Sequence, residues 1–201
     1  MAIPVTAMLS PCKESFALTR VAAVLIEDKI WPRPLGRDGA KLVVEREHAI
    51  LRCRAAIEAC RDEGILLLAR TDARVSRGFD EALVRVRAFV AEGADILFLD
   101  SPQSEEEMRT GIEACAGKPA LAVTSPAGKH FMPGDAELER IGIRIVVYPQ
   151  DILAASVRAM RDALAGLKGG SKPPMANPAE LATAIRIAEY LSQDSRWPDP
   201  S

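Results

Sequence analysis

Short, largely apolar runs alternate along this chain with longer stretches in which apolar residues return every three or four positions. The runs are Val21 to Ile26, Ile65 to Ala69, Ile96 to Leu99, Ala120 to Thr124 and Ile143 to Tyr148. Their leucine and β-branched content predicts five strands of a parallel sheet covered on both faces. After the first run, Leu42, Val43, Ala49, Ile50, Cys53, Ala56, Ile57 and Cys60 fall at helical spacing, and Gly64 supplies the stop. Asp80 is placed to cap a second helix with the stripe Leu83, Val86, Phe89 and Val90, ended by Gly93; Ser104 with Glu107 has capping-box spacing for a third. Asp135 to Ile141 predicts a short fourth helix, and Asp151 to Leu164 a fifth. Gly166 to Pro178 is rich in Gly, Lys and Pro and reads as a linker. Beyond it, Leu181, Ile185, Ala188 and Leu191 put an apolar face on a helix over Ala179 to Leu191. The expected division is therefore 1–168 as the body, 169–178 as linker and 179–201 as a tethered helix and tail.

This alternation defines the α/β class. Five successive βα units suit an open doubly wound sheet, or part of an eight-stranded barrel, since a whole barrel takes about 250 residues. No G-x-G-x-x-G follows a strand and no G-x-x-x-x-G-K-[ST] occurs, which removes the common nucleotide cradles. With 26 Lys and Arg against 28 Asp and Glu, the formal charge of -2 offers no long-range field for nucleic acid or anionic membrane. No apolar run approaches the roughly 18 residues of a membrane span, and Met1 to Thr19 lacks the features of a signal peptide, so a cytoplasmic location is expected. Cys12, Cys53, Cys60 and Cys115 show no C-x-x-C spacing, and His48 and His130 stand far apart, so neither a zinc site nor a disulfide framework is expected. Cys53 and Cys60 read as core thiols.

Chemistry in parallel α/β folds gathers at the carboxyl ends of strands. Here three successive strands end in charge: Glu27-Asp28-Lys29, Arg70-Thr71-Asp72 and Asp100. Carboxylates beside a guanidinium can hold Mg²⁺ through oxygen ligands and grip a substrate carboxylate by a bidentate pair. The bland alternative is an Arg–Asp network that only satisfies strand ends.

Four segments, Val24-Leu25-Ile26-Glu27-Asp28-Lys29 with Pro32, Leu68 to Ala73, Gly78 to Ala82 and Glu92 to Phe98, resemble in order and spacing the isocitrate lyase and phosphoenolpyruvate mutase superfamily. The likeness continues through Pro119 to Lys129 and Gly142 to Pro149. It implies a parallel (β/α)8 TIM-barrel type, here incomplete at the N-terminus, with Mg²⁺ and cleavage or rearrangement next to a 2-oxo acid. It also implies a homo-oligomer, usually a tetramer exchanging a C-terminal helix, for which Ala179 to Leu191 is the similar segment. Transferred to matching positions, Glu27 and its neighbour Asp28 belong to the metal shell and Arg70 binds the substrate carboxylate. Asp72 orients that arginine, and Asp100 stands where the family often has glutamate. Ile30 to Lys41 matches a loop that closes over substrate.

Several positions depart from the family pattern. Leu35 stands where the lyases carry a proton-transferring cysteine, and Val123 where they carry asparagine. Ile3 to Ala7 resembles the start of the family's third strand, but Met8 and Ser10 occupy its metal-binding aspartate positions. The expected function is a Mg²⁺-dependent carbon–carbon lyase acting on a small 2-oxo or 2-hydroxy carboxylic acid. Phosphonate or oxaloacetate-type chemistry on the same scaffold, or a non-catalytic subunit or binding module, are the competing expectations.

Overall fold

The structure, a computed structural model, describes residues 21–32, 41–61, 63–124 and 130–194. Outside the described residues lie Ile3 to Ala7, Met8, Ser10, Cys12, Leu35 with most of the expected closing loop, Gly128-Lys129 and the end of the expected tail, 195–201. The chain divides into two compact units, Met1–Gln150 and Asp151–Ser201, a division placed ahead of the long fifth helix rather than after it.

In the first unit five parallel strands follow one another in chain order. They are β1 (Ala23–Glu27), β2 (Leu66–Thr71), β3 (Ile96–Leu99), β4 (Leu121–Val123) and β5 (Ile145–Val147). The first three form one hydrogen-bonded sheet and the last two another, joined by the parallel bridge between Leu97 and Ala120. Between them lie α1 (Arg46–Arg61), α2 (Ala73–Arg77), α3 (Phe79–Glu92), α4 (Glu105–Ala114) and α5 (Asp135–Ile141). No closed barrel forms among the described residues.

Strand alternation sorts the apolar residues into two layers. Leu67, Ala69 and Leu97 face the helices and join Cys53 and Cys60 of α1, Val86 and Phe89 of α3, Met108 of α4 and Leu138 of α5 in the main core. The opposite parity, Leu68, Ile96, Phe98 and Leu121, packs as a smaller cluster with Val123 and Ile145. That second layer is the lining a barrel would enclose. Expected cover on both faces fails at the ends of this layer: Leu25 and Leu66 are 49% and 46% exposed, and no strand pairs with the outer side of β1 among the described residues.

Local chemistry moved several boundaries. Leu42 to Val44 belongs to no helix: Ile30 N–H donates to Leu42 O at 3.0 Å and Val44 N–H to Asp28 O at 2.9 Å, so this segment satisfies the backbone leaving β1. Asp80 lies inside the first turn of α3, whose N-cap is Gly78 at φ 94°, a conformation open to glycine; the carboxylate still opposes the helix dipole there. Ser104 caps α4 by accepting from Glu107 N–H at 3.1 Å, but the Glu107 carboxylate serves Gln103 N–H and the Arg74 fork instead of closing a capping box. Burial pushes the Cys53 thiol up to about 12 and the Cys115 thiol to about 11, as inert core thiols require.

The second unit holds α6 (Asp151–Lys168), α7 (Pro178–Ala184) and α8 (Ile187–Asp194). The single helix expected over Ala179 to Leu191 is two, parted where Arg186 takes φ 55°. Asn177 and Glu180 complete a capping box at the start of α7. No helix among the described residues is long and apolar enough to cross a membrane.

Because Leu97 is fully buried in the main core and Leu25 is half exposed, the two layers should respond differently to truncation. Leu97→Ala should cost about 2–5 kcal/mol and Leu25→Ala about 1 kcal/mol or less. Urea denaturation of the two variants measures this; equal losses would mean that Leu25 is covered in solution.

Candidate active site at the strand ends

The parity that lines the inner layer continues past the strand ends into charge. Leu25 is followed two residues on by Glu27, Leu68 by Arg70 and then Asp72, and Phe98 by Asp100. Register places Glu27 opposite Arg70, and Arg70 opposite Phe98. Four of the side chains expected from sequence therefore converge on one rim: Glu27, Arg70, Asp72 and Asp100.

Arg70 is the centre of this rim. Its Nε donates to Asp72 Oδ2 and its Nη2 to Asp72 Oδ1, both at 2.7 Å, and Nη2 also reaches Asp100 Oδ1 at 3.1 Å. Its guanidinium carbon stands 4.8 Å from the centroid of the Phe98 ring, a cation–π contact that holds the plane. Glu27 Oε2 lies 3.7 Å from Arg70 Nε, while its Oε1 accepts from Trp31 Nε1 at 3.0 Å.

Two lysines that the sequence reading left without a role complete the rim. Lys29, 4% exposed, places its Nζ 3.0 Å from Glu27 Oε2 and 3.4 Å from Asp72 Oδ1. Its signal in the sequence was parity, since residue 29 continues the face of residue 27. Lys41 pairs with Asp100, donates to Ser101 Oγ at 2.9 Å and lies 3.6 Å from Asp72 Oδ1. Its position at the end of the expected closing loop, Ile30 to Lys41, gave no periodic signal. Glu27, Asp72 and Asp100 thus face Lys29, Lys41 and Arg70, and the rim is formally neutral.

Asp28, expected beside Glu27 in a metal shell, sits beneath the rim on the helix-facing parity. Its Oδ1 accepts from Asp72 N–H at 2.9 Å, and its Oδ2 from Thr71 Oγ1 at 2.6 Å and Arg85 Nη1 at 3.1 Å. Arg85 was missed altogether. Its sequence signal was an arginine three residues after Ala82 and four before Phe89, on the buried stripe of α3. His130 and Val123 border a small cavity between β3, β4 and α4 that opens beside Asp100 and Ser101.

Burial raises the Asp100 carboxyl, but Arg70, Lys41 and Ser101 outweigh it and hold the group below the ordinary range. Glu27 is lowered in the same way, with burial overcome by Lys29, Trp31 and Arg70. Asp72 goes the other way: burial, helped by the Asp100 charge, pushes it up despite Arg70 and Lys29.

Comparison with known proteins gives this arrangement its class. The family model described as phosphoenolpyruvate phosphomutase matches residues 13–168, and the chain belongs to that family, within the phosphoenolpyruvate mutase and isocitrate lyase superfamily. It is 35% identical over 148 residues to 2,3-dimethylmalate lyase of Eubacterium barkeri, covering 74% of this chain and 51% of that protein. The solved structure of oxaloacetate acetylhydrolase with the inhibitor 3,3-difluorooxalacetate is 28% identical, with a TM-score of 0.83, over 94% of this chain and 65% of that one. Phosphonopyruvate hydrolase with oxalate and Mg²⁺ shares the fold at 20% identity and a TM-score of 0.77, over 97% of this chain and 69% of that one. The chain spans about half the length of the curated relatives it matches.

Lowered carboxyls predict a signed pH dependence. The folded values of Glu27 and Asp100 lie below the unfolded ones, so their contribution is complete above the ordinary carboxylate range, about pH 4, and is lost as pH falls through the lowered values. Asp72, raised, contributes with the opposite sign. Asp100→Asn should therefore flatten the acid limb of stability against pH, measured by urea denaturation, relative to the unsubstituted chain.

Proposed function

We propose that the rim of β1 to β3 takes the carboxylate of a small 2-oxo or 2-hydroxy acid, and that the chain serves a carbon–carbon lyase of this family. The observation that carries this reading is the free edge of Arg70. Its Nε and Nη2 are committed to Asp72 and Asp100, which leaves both N–H groups of Nη1 without a partner among the described residues. A guanidinium held in place through Nε and Nη2, with Nη1 open, is preorganised to donate to a carboxylate. The 2,3-dimethylmalate and oxaloacetate chemistries named for the relatives share that substrate group.

When a carbon–carbon bond breaks at the carbon next to a carbonyl or carboxyl group, the electron pair stays on that carbon as an enolate, which needs positive charge at its oxygens until it takes a proton from water. Lys41 is the most accessible cation of the rim, with 29% side-chain exposure against 6% for Lys29 and 17% for Arg70. Turning from Asp100 to the incoming oxygen, it would supply that charge while Arg70 holds the carboxylate.

The resemblance implies Mg²⁺, but the described donors do not assemble a shell for it. Mg²⁺ demands near-octahedral oxygen ligands at about 2.0–2.1 Å. Both Asp72 oxygens hold Arg70, Asp28 is consumed beneath the rim, Asp100 meets Lys41, Ser101 and Arg70, and Glu27 meets Lys29 and Trp31. Among the described residues no group of three His, Cys, Asp or Glu is arranged to hold a metal. Self-association is part of the proposal: Ile152, Leu153, Met160 and Leu164 of α6 are more than half exposed, an apolar stripe suited to another subunit. The residues after the linker 169–178 are assigned to the same role.

Oxalate, a planar mimic of the enolate acids, is the probe. Calorimetry should show oxalate binding to the full chain, and Arg70→Gln should weaken it by about 2–4 kcal/mol, roughly 30- to 1,000-fold. The same variant should abolish any turnover of 2,3-dimethylmalate or oxaloacetate. Unaltered oxalate affinity in folded Arg70→Gln would refute the assignment.

A further inference from the structure

Beneath the rim runs a second charged assembly that touches no substrate position. Arg85 is 1% exposed, yet it lies on the apolar stripe of α3 with Ala82, Val86 and Phe89. Its Nη1 reaches Asp28 Oδ2 at 3.1 Å and its Nε reaches Glu81 Oε1 at 2.8 Å. Glu81 in turn takes Arg46 of α1, through Nε at 3.1 Å and through Nη2. The series Arg46, Glu81, Arg85, Asp28 therefore ties two helices to the turn that follows β2.

Packing alone does not account for it, since a buried ion pair is often no more stabilising than apolar residues of similar volume. What the pair supplies, and an apolar pair could not, is an anion with both oxygens fixed under the turn. Asp28 Oδ1 accepts the Asp72 N–H, and Oδ2 accepts the Thr71 hydroxyl, whose oxygen accepts the Ala73 N–H at 3.2 Å. One carboxylate thus holds Thr71 and Asp72 directly, and Ala73 through the Thr71 hydroxyl. The middle one is Asp72, whose side chain locks Arg70.

We infer that Asp28 and Arg85 are positioning residues for carboxylate binding: they fix the Thr71–Ala73 turn so that Asp72 aims Arg70 with its Nη1 edge outward. This assigns Asp28 a role in which no metal takes part, and it rests on the reading of Arg70 as the carboxylate-binding group.

The test uses Asp28→Asn, Arg85→Gln and the double variant as full chains, at a temperature where thermal melts show each fully folded. Oxalate titration reads the functional consequence, and hydrogen exchange of the peptide spanning Leu66 to Arg74 reads the turn. Each single variant should weaken oxalate about tenfold or more, with the double variant no worse than the weaker single, because the two act as one unit. Exchange at Thr71 to Ala73 should rise while α1 stays protected. If a single variant fails to fold, the double variant, with neutral amides facing each other, supplies the measurement. Unchanged oxalate affinity in a folded variant overturns the inference, as does lost affinity with unchanged exchange at the turn. Restoration of Asp28→Asn by added Mg²⁺ also overturns it, making Asp28 a metal ligand. Should the unsubstituted chain not bind oxalate, the proposed function fails, and exchange at the turn alone still decides whether the brace exists.

Discussion

The two-pronged contact between Arg70 and Asp72 is the interaction around which the rim is organised. A guanidinium and a carboxylate so poorly hydrated are tolerated only when nearly every donor and acceptor is met, and that requirement dictates their surroundings. Phe98 carries the face of the guanidinium, Asp100 takes a further N–H, and Lys29 and Lys41 flank the Asp72 oxygen that Arg70 shares. Below, Asp28 accepts the backbone N–H of Asp72 and is itself paired with Arg85. Among the described residues, the group of this rim left without a partner is Nη1 of Arg70.

Strand parity explains how so small a set of strands makes a site. A residue pointing into the inner layer is followed, two positions later, by one pointing the same way, and in β1, β2 and β3 that successor is charged. In-register pairing sets Glu27 beside Arg70, and the first residues past β2 and β3 bring Asp72 and Asp100 to the same rim. The cost appears on the same layer, where Leu25 and Leu66 meet solvent because the described strands do not close around them.

Much of this could be read from the sequence. β3 and α5 fall where the apolar pattern put them, and Glu27, Arg70, Asp72 and Asp100 were legible as strand-end charge. Asp28 was legible as a residue but not as a direction, because its neighbour Glu27 shares the strand end and only alternation separates rim from underside. Arg85 was hidden by its own helix: a pattern of apolar positions passes over an arginine, although burial of a charge on such a stripe is the more informative event. Lys41 was legible only as the end of the expected closing loop, since its place on the rim depends on a tertiary meeting with Asp100. The helix boundary at Arg46 was misjudged because Leu42 and Val43 satisfy the backbone beside Asp28 rather than a helix.

The rim holds as many fixed cations as carboxylates, so an anion entering it must draw on the open edge of Arg70 and on the release of Lys41 from Asp100. A crystal structure of the chain with oxalate tests this most directly. One oxalate carboxylate should lie on Nη1 of Arg70 at hydrogen-bonding distance, with Lys41 turned from Asp100 toward the ligand and the Arg70–Asp72 pair intact. Oxalate bound away from Arg70, or held by a cation seated among Glu27, Asp28 and Asp100 with the lysines expelled, would contradict the account.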